Sequence, residues 1–333
     1  MRPAILEFSI SNQKSTILTQ GLRLLYFWIL FNLFALGMLA LDLRVFHRPG
    51  HVIGFREAVG WSAMWISLAA AFAAIVLLWQ GHQAALEFVT GYVLELSLSV
   101  DNLFVFLVIF RYFTVPEEQQ HRVLFWGILG ALVMRGIFIV AGVGLIHRFH
   151  WVLYGFGALL IYSGVRVCAM GEHQIDPSKN PVVSALRGWI PVTNEYAGGR
   201  FFVRGWQGKP GLYATPLLVV LAVIETTDIL FAVDSIPAVL AITLNAFIVY
   251  TSNVFAILGL RSMYFAVAGL MKIFRFLHYG LAVVLILIGV KMLTSDYFPV
   301  RTLVTLGVVA GVLAVSIAAS LLAPKGDAQG GSA

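Results

Sequence analysis

Charge is scarce in this sequence. Only 11% of its 333 residues are Asp, Glu, Lys or Arg, where soluble globular domains carry roughly a quarter. That deficit, with 60% hydrophobic residues and a mean hydropathy of +0.89, excludes an ordinary water-soluble fold and makes lipid the solvent for most of the chain. Cysteine is scarcer still. The one thiol, Cys168, excludes a disulfide framework and any zinc or iron–sulfur centre built on thiolates, so a metal here must be held by oxygen or imidazole. Cys168 itself reads as a free, buried thiol. No Walker A sequence occurs, which argues against ATP-driven pumping, and no paired histidines with an adjacent Glu suggest a metalloprotease.

What the sequence does have is long apolar runs. The first, Leu24 to Leu41, follows a polar stretch of about twenty residues and reads as a retained span, since a secretory signal begins nearer its basic start. At roughly 20 apolar residues per crossing, nine spans are expected, near 24–41, 59–80, 86–110, 123–146, 149–169, 213–242, 246–271, 276–294 and 302–323. Runs this continuous lack the alternation of barrel strands, so the spanning elements are helices. The expected fold class is an all-α integral membrane protein of about nine transmembrane helices. Its tail after Ala323, PKGDAQGGSA, has the composition of a disordered segment.

The net charge of +6 would raise nucleic-acid binding in a soluble protein; here the cations lie between apolar runs and act as topology signals, and no nucleic-acid partner is expected. With nine spans, one face holds Arg2, Lys14, Arg23, Arg148, Lys291 and Arg301. The other holds Arg44, Arg48, Arg56, Arg111, Arg122, Arg166, Lys179, Arg187, Arg200, Arg204, Lys209, Lys272, Arg275 and Lys325. The richer face is expected in the cytoplasm, which puts the N-terminus outside, the C-terminus inside and the loop 170–212 inside.

The chain also repeats itself. ELSLSVDN at Glu95–Asn102 and DILFAVDS at Asp228–Ser235 share the form acid, five residues, Asp, small polar residue. Ile128-Leu129-Gly130 precedes Arg135 as Ile257-Leu258-Gly259 precedes Arg261, and YGFGALLIYSGVR at Tyr154–Arg166 matches YGLAVVLILIGVK at Tyr279–Lys291. The expected organisation is residues 1–58, an N-terminal span and cytoplasmic loop; 59–85, span 2; 86–169, repeat one; 170–212, a cytoplasmic loop; 213–294, repeat two; and 295–333, span 9 with the tail. Each repeat holds three spans, an odd number, so the two units are inverted, the architecture of many secondary transporters with a substrate site at the repeat interface.

Glu95 and Asp101 in span 3, and Glu225, Asp228 and Asp234 in span 6, sit deep in apolar sequence. At about 2.5–3.5 kcal/mol for each charge at a helix centre, the five would cost on the order of 12–17 kcal/mol unpaired. Protonation, the intramembrane Arg135 and Arg261, or a bound cation could compensate. Residues six apart do not share a face of an ideal helix. Spans 3 and 6 are therefore expected to unwind near Asp101-Asn102 and Asp234-Ser235, with Pro237, Ser97, Ser99, Thr226 and Thr227 nearby, and to converge on one site. Carboxylates with Asn102 and Ser235 oxygens suit a hard divalent cation, Mg²⁺, Ca²⁺ or Mn²⁺. Arg135 and Arg261 read either as counterions of the empty site or as a gate that alternates with the cation. Elsewhere, Trp28, Trp79, Trp126 and Trp151 read as interfacial anchors. Gly127, Gly130, Gly142, Gly144, Gly155, Gly157 and Gly164 read as close-packing positions.

EFVTGYVLELSLSVDNLFVF at Glu87–Phe106 and ETTDILFAVDSIPAV at Glu225–Val239 resemble the paired motifs of the TerC family of integral membrane proteins, linked by name to tellurium resistance. The likeness runs in order from about residue 60 to 322. It implies export of manganese across the bacterial cytoplasmic membrane, with Mn²⁺ as transported ion and no permanently bound cofactor. It places Glu95, Asp101, Glu225, Asp228 and Asp234 at the metal-handling positions, with Asn102 and Ser235 beside them. The function expected is a secondary transporter, not an enzyme, with Mn²⁺, protons and the bilayer as partners. An intramembrane aspartyl protease is the enzyme alternative, though a Gly-x-Gly-Asp context is missing before Asp101 and Asp234. A scaffold for a stress-response complex, docking through loop 170–212, is the third.

Overall fold

The computed structural model describes residues 26–41, 54–170, 183, 186, 188–270 and 276–322. Two units divide the chain, within 1–51 and 52–333. The first contributes α1 (Tyr26–Leu41). The second contributes α2 (Phe55–Gln80), α3 (His82–Tyr112), α4 (Glu117–Arg148), α5 (Val152–Met170), strands β1 (Phe202–Trp206) and β2 (Lys209–Ala214), α6 (Pro216–Leu240), α7 (Ala246–Leu270), α8 (Leu277–Leu293) and α9 (Thr302–Leu322). Among the described residues, these nine helices coincide with the nine expected spans to within several residues, and seven are long and apolar enough to cross a bilayer; α1 and α8 are shorter. The chain is an all-α integral membrane protein. The tail from Ala323 onward and residues 171–182 of the long loop lie outside the described residues.

Chain punctuation sets the helix ends. Gly81 separates α2 from α3 at φ +88°, left-handed backbone that favours glycine. Pro116 precedes α4, and Pro216 opens α6 after an extended Thr215, where a missing N–H costs nothing. Outward faces remain apolar, as with Leu78 and Leu322, and suit lipid rather than a protein core.

The expected unwinding of spans 3 and 6 does not occur. α3 and α6 are continuous through Asp101-Asn102 and Asp234-Ser235. The hydroxyls thought to satisfy loosened backbone instead bond the intact helix one turn back, Ser97 to the Val93 carbonyl at 2.6 Å and Thr227 to that of Val223 at 2.7 Å. Pro237 falls in the last turn of α6, too near the end to break it.

In the second unit, α3 packs on α7, α4 on α6 and α5 on α8. Along α4, Gly127, Arg135 and Gly142 meet Ile224, Asp228 and Leu240 of α6 in ascending order, so these helices run parallel. α5 and α8 are antiparallel, Gly157 lying on Gly289 and Gly164 on Ala282. Gly144 and Gly155, also expected to pack closely, face open space. Cys168 is free as expected but exposed, a correction: it lies on the outward side of the last turn of α5 beside Val165 and Arg166.

The long loop holds structure that the sequence pattern did not reveal, the antiparallel hairpin β1–β2. It is tied to the helices at its base. Tyr196 donates to the Phe113 carbonyl at 2.7 Å, burial pushes that phenol up to about 12, and Arg122 of α4 stands over the Phe201 ring.

Candidate functional site

The centre of the site is Arg135, 1% exposed, carried into the bundle by α4. A guanidinium so placed needs all its donors used. Its Nε and NH2 reach Asp228 of α6 at 3.2 and 3.0 Å, one on each carboxylate oxygen, and its NH1 pairs with Glu95 of α3. NH1 also donates a long contact, 3.5 Å, to the Ser235 hydroxyl. Glu95 is 0% and Asp228 5% exposed. Three helices thus converge on one buried ionic network, and the two-pronged Asp228 contact is the geometry for which arginine's planar fork is suited.

Helical spacing explains which motif residues join it. Glu95, Ser99 and Asn102 stand at i, i+4 and i+7, one face of α3, and all three are buried. Asp228 and Ser235 stand seven apart on α6, again one face. Asp101 and Asp234, six residues from Glu95 and Asp228, fall on other faces and are only half-buried. About 9 Å of helical rise separates the members of each pair. Because α4 is antiparallel to α3 across the turn at Phe113–Pro116 and parallel to α6, Asp101 and Asp234 lie toward opposite ends of the bundle. The five carboxylates form a ladder with Arg135 on its middle rung, rather than the single convergent site expected. Among the described residues, no three His, Cys, Asp or Glu side chains stand close enough together to hold a metal ion.

The remaining candidates have separate settings. Asp234 accepts a 2.6 Å hydrogen bond from Ser163 of α5. Glu225 lies against Gly130 of α4, occupying the space a Cβ there would need. Arg261, 1% exposed, is carried by α7. Buried polar atoms without a hydrogen-bond partner cluster on the motif face of α3, Ser99 Oγ and Asn102 Nδ2, and recur at Asn253 Nδ2 on α7. A small pocket opens on Asp228, its one ionisable lining residue, between apolar walls from Phe106, Leu124, Gly127, Ile128, Ala131, Ile224 and Leu260. These come from the late part of α3 and α7 and the early part of α4 and α6, so the pocket lies toward the α3–α4 turn. Sequence reasoning missed Ser163 and Asn253, whereas Gly130 is the close-packing position it expected. Ser163 had a signal, the one Ser or Thr in the apolar span of α5.

A many-helix membrane protein with a desolvated Glu–Arg–Asp network at its core is the class that this fold and site define. A family profile described as the integral membrane protein TerC family matches residues 80–328. An uncharacterized membrane protein of Myxococcus xanthus, STKORF319, is 49% identical over 306 residues, covering 91% of this chain and 95% of its own length. A protein of Escherichia coli strain K12 named as a candidate membrane-bound redox modulator, Alx, is 46% identical over 289 residues, 84% of this chain and 89% of its own. A Rickettsia bellii membrane protein is 36% identical over 295 residues, 89% and 97% of the two chains. No solved structure matches. This chain belongs to the TerC family of integral membrane proteins.

Proposed function

We propose that the protein is a secondary transporter, not an enzyme, that exports Mn²⁺ from the bacterial cytoplasm in exchange for protons. The observation that supports this reading is the meeting of Glu95 and Asp228, from different helices, on Arg135 in the dry centre of the bundle, since an intramembrane ionisable group is retained at a cost and marks an ion path. Unpartnered Ser99 and Asn102 atoms beside Glu95 add polar groups that the fold itself does not use. Oxygen donors of this kind suit hard dications; Mn²⁺ is chosen among them on the resemblance of the two motifs to the family's manganese exporters. Protons and a dication compete for the same carboxylates, so metal entry expels protons and antiport needs no separate engine.

The helix pairings support the inverted repeat of α3–α5 and α6–α8. Exchanging the two units turns the α3–α7 contact into α6–α4 and leaves α5–α8 in place. The cation asymmetry supports a cytoplasmic C-terminus and an external N-terminus; reporters after Arg187 and at both termini test it, and termini on one side would overturn nine spans. The redox role for which the Escherichia coli relative is named finds a single thiol here, Cys168, so a dithiol switch within one chain is excluded.

Proteoliposomes reporting Mn²⁺ and pH together test the transport reading. Asp101→Asn and Asp234→Asn are each expected to abolish Mn²⁺ flux in protein that still inserts and folds; wild-type rates in both would make the motifs structural. Mn²⁺ flux with no proton movement, and affinity flat between about pH 6 and 8, would replace the antiporter by a channel or uniporter.

A further inference from the structure

We infer that Arg135 is a tethered competitor of the transported cation. In the state described here it holds both carboxylates of the middle rung, and a divalent cation gains Asp228 only by displacing it. The inference rests on the transport reading and assigns the residue that gates it.

The geometry points to Arg135 for three reasons. First, its partners are carboxylates on two other helices, Glu95 on α3 and Asp228 on α6, so the tie closes the bundle across its centre. α3 and α6 also pack directly, Gly91 lying against Val239, so release of the tie loosens their junction at the level of Arg135. Second, the pocket toward the α3–α4 turn ends on Asp228, the same carboxylate whose two oxygens are already taken by Nε and NH2. An ion arriving there meets an occupied ligand, and two positive centres cannot share one desolvated carboxylate without strong repulsion. Third, the guanidinium has an acceptor to fall back on. Its 3.5 Å contact with Ser235 Oγ lies two turns along α6 from Asp228, so the side chain can give up Asp228 without leaving the polar stripe.

A built-in cation has a functional consequence distinct from simple charge balance. It lowers cation affinity below that of the bare carboxylate pair and restores the closed, ion-free network as cargo leaves. A merely structural counterion would stabilise the fold and leave cation affinity untouched.

The test is Mn²⁺ binding to the full-length protein in lipid nanodiscs, read from the loss of the free-ion signal in electron paramagnetic resonance. Arg135→Met is expected to bind Mn²⁺ at least tenfold more tightly than wild type, and Arg135→Lys, which keeps the charge, to stay within about threefold. Removing one member of a buried pair can unfold a protein, whereas removing both is tolerated. The double variant Arg135→Met/Glu95→Gln leaves one buried carboxylate, Asp228, where Arg135→Met leaves two; it serves beside Glu95→Gln alone and is expected to bind at least threefold more tightly than that single variant. Wild-type flux, with neither methionine variant tighter than its parent, overturns the competitor and leaves the transport reading standing. Absence of saturable Mn²⁺ binding in every protein, together with absence of flux, overturns both.

Discussion

Two helix seams of this bundle are built around glycine, and they differ in what stands across from it. Between α5 and α8 a Cβ on Gly289 would meet the Gly157 carbonyl at 2.7 Å, and one on Gly164 would meet that of Ala282 at the same distance. Backbone faces backbone. Between α4 and α6 the opposing atoms are side-chain ends, Leu240 Cδ1 2.9 Å from a Cβ on Gly142, Ile224 Cγ2 3.3 Å from one on Gly127, and the Glu225 carboxylate at Gly130. Lipid offers no hydrophobic reward for helix association, so close approach and polar ties hold such seams. The α5–α8 seam uses the first along its length, with one polar tie at its end where Tyr154 of α5 donates to Asp296 just past α8, and has little freedom to adjust. The α4–α6 seam combines glycine contacts to movable side-chain ends with an ionic tie, and there Glu225, Asp228 and the pocket lie.

That contrast can be tested from its strongest consequence to its weakest. Arg135→Ala leaves Glu95 and Asp228 buried and unpaired, and should cost about 3–5 kcal/mol, read as the largest fall in Tm in a detergent melt; a fall no greater than that of a surface substitution would remove the tie from the α4–α6 seam. Gly289→Leu should cost about 1–3 kcal/mol or more, because neither carbonyl nor helix can yield, and a variant with unchanged Tm would show that the α5–α8 seam is not rigid. Gly130→Ala asks only the end of a flexible Glu225 to move, so Tm should shift by less than the equivalent of about 1 kcal/mol while Mn²⁺ flux falls several-fold. A Gly130→Ala protein that melts early and transports normally would reverse the comparison. Tyr196→Phe, outside both seams, removes one hydrogen bond to Phe113 and should cost about 1 kcal/mol with flux preserved.

Much of this architecture was legible because the lipid-spanning signal is a matter of length and polarity. Spans bounded by Gly81, Pro116 and Pro216 appear where the apolar runs and breakers put them. The acidic motif residues were legible too, since an Asp in apolar sequence is conspicuous. Their grouping was not. Whether Glu95 meets Asp101 or Asp228 depends on which faces α3, α4 and α6 turn toward one another, and hydropathy carries no such information when a helix is apolar all round. Arg135 illustrates the point: the sequence marked it as a counterion or gate, and only the parallel packing of α4 on α6 selects Asp228 and Ser235 as its contacts. The hairpin β1–β2 escaped notice because its Arg204, Gly205 and Lys209 break the alternation that announces a strand.

The unequal lengths of the helices bear on how deep each acid lies. α3 and α4 have 31 and 32 residues, whereas α5 and α8 have 19 and 17, so the first pair measures roughly 46–48 Å and the second roughly 26–28 Å. A hydrocarbon layer of about 30 Å must thin to meet the short pair and cannot cover the long one without tilt. Asp234, in the last third of α6 and held by Ser163 of α5, therefore sits beside a short helix, whereas Glu95 sits near the middle of a long one.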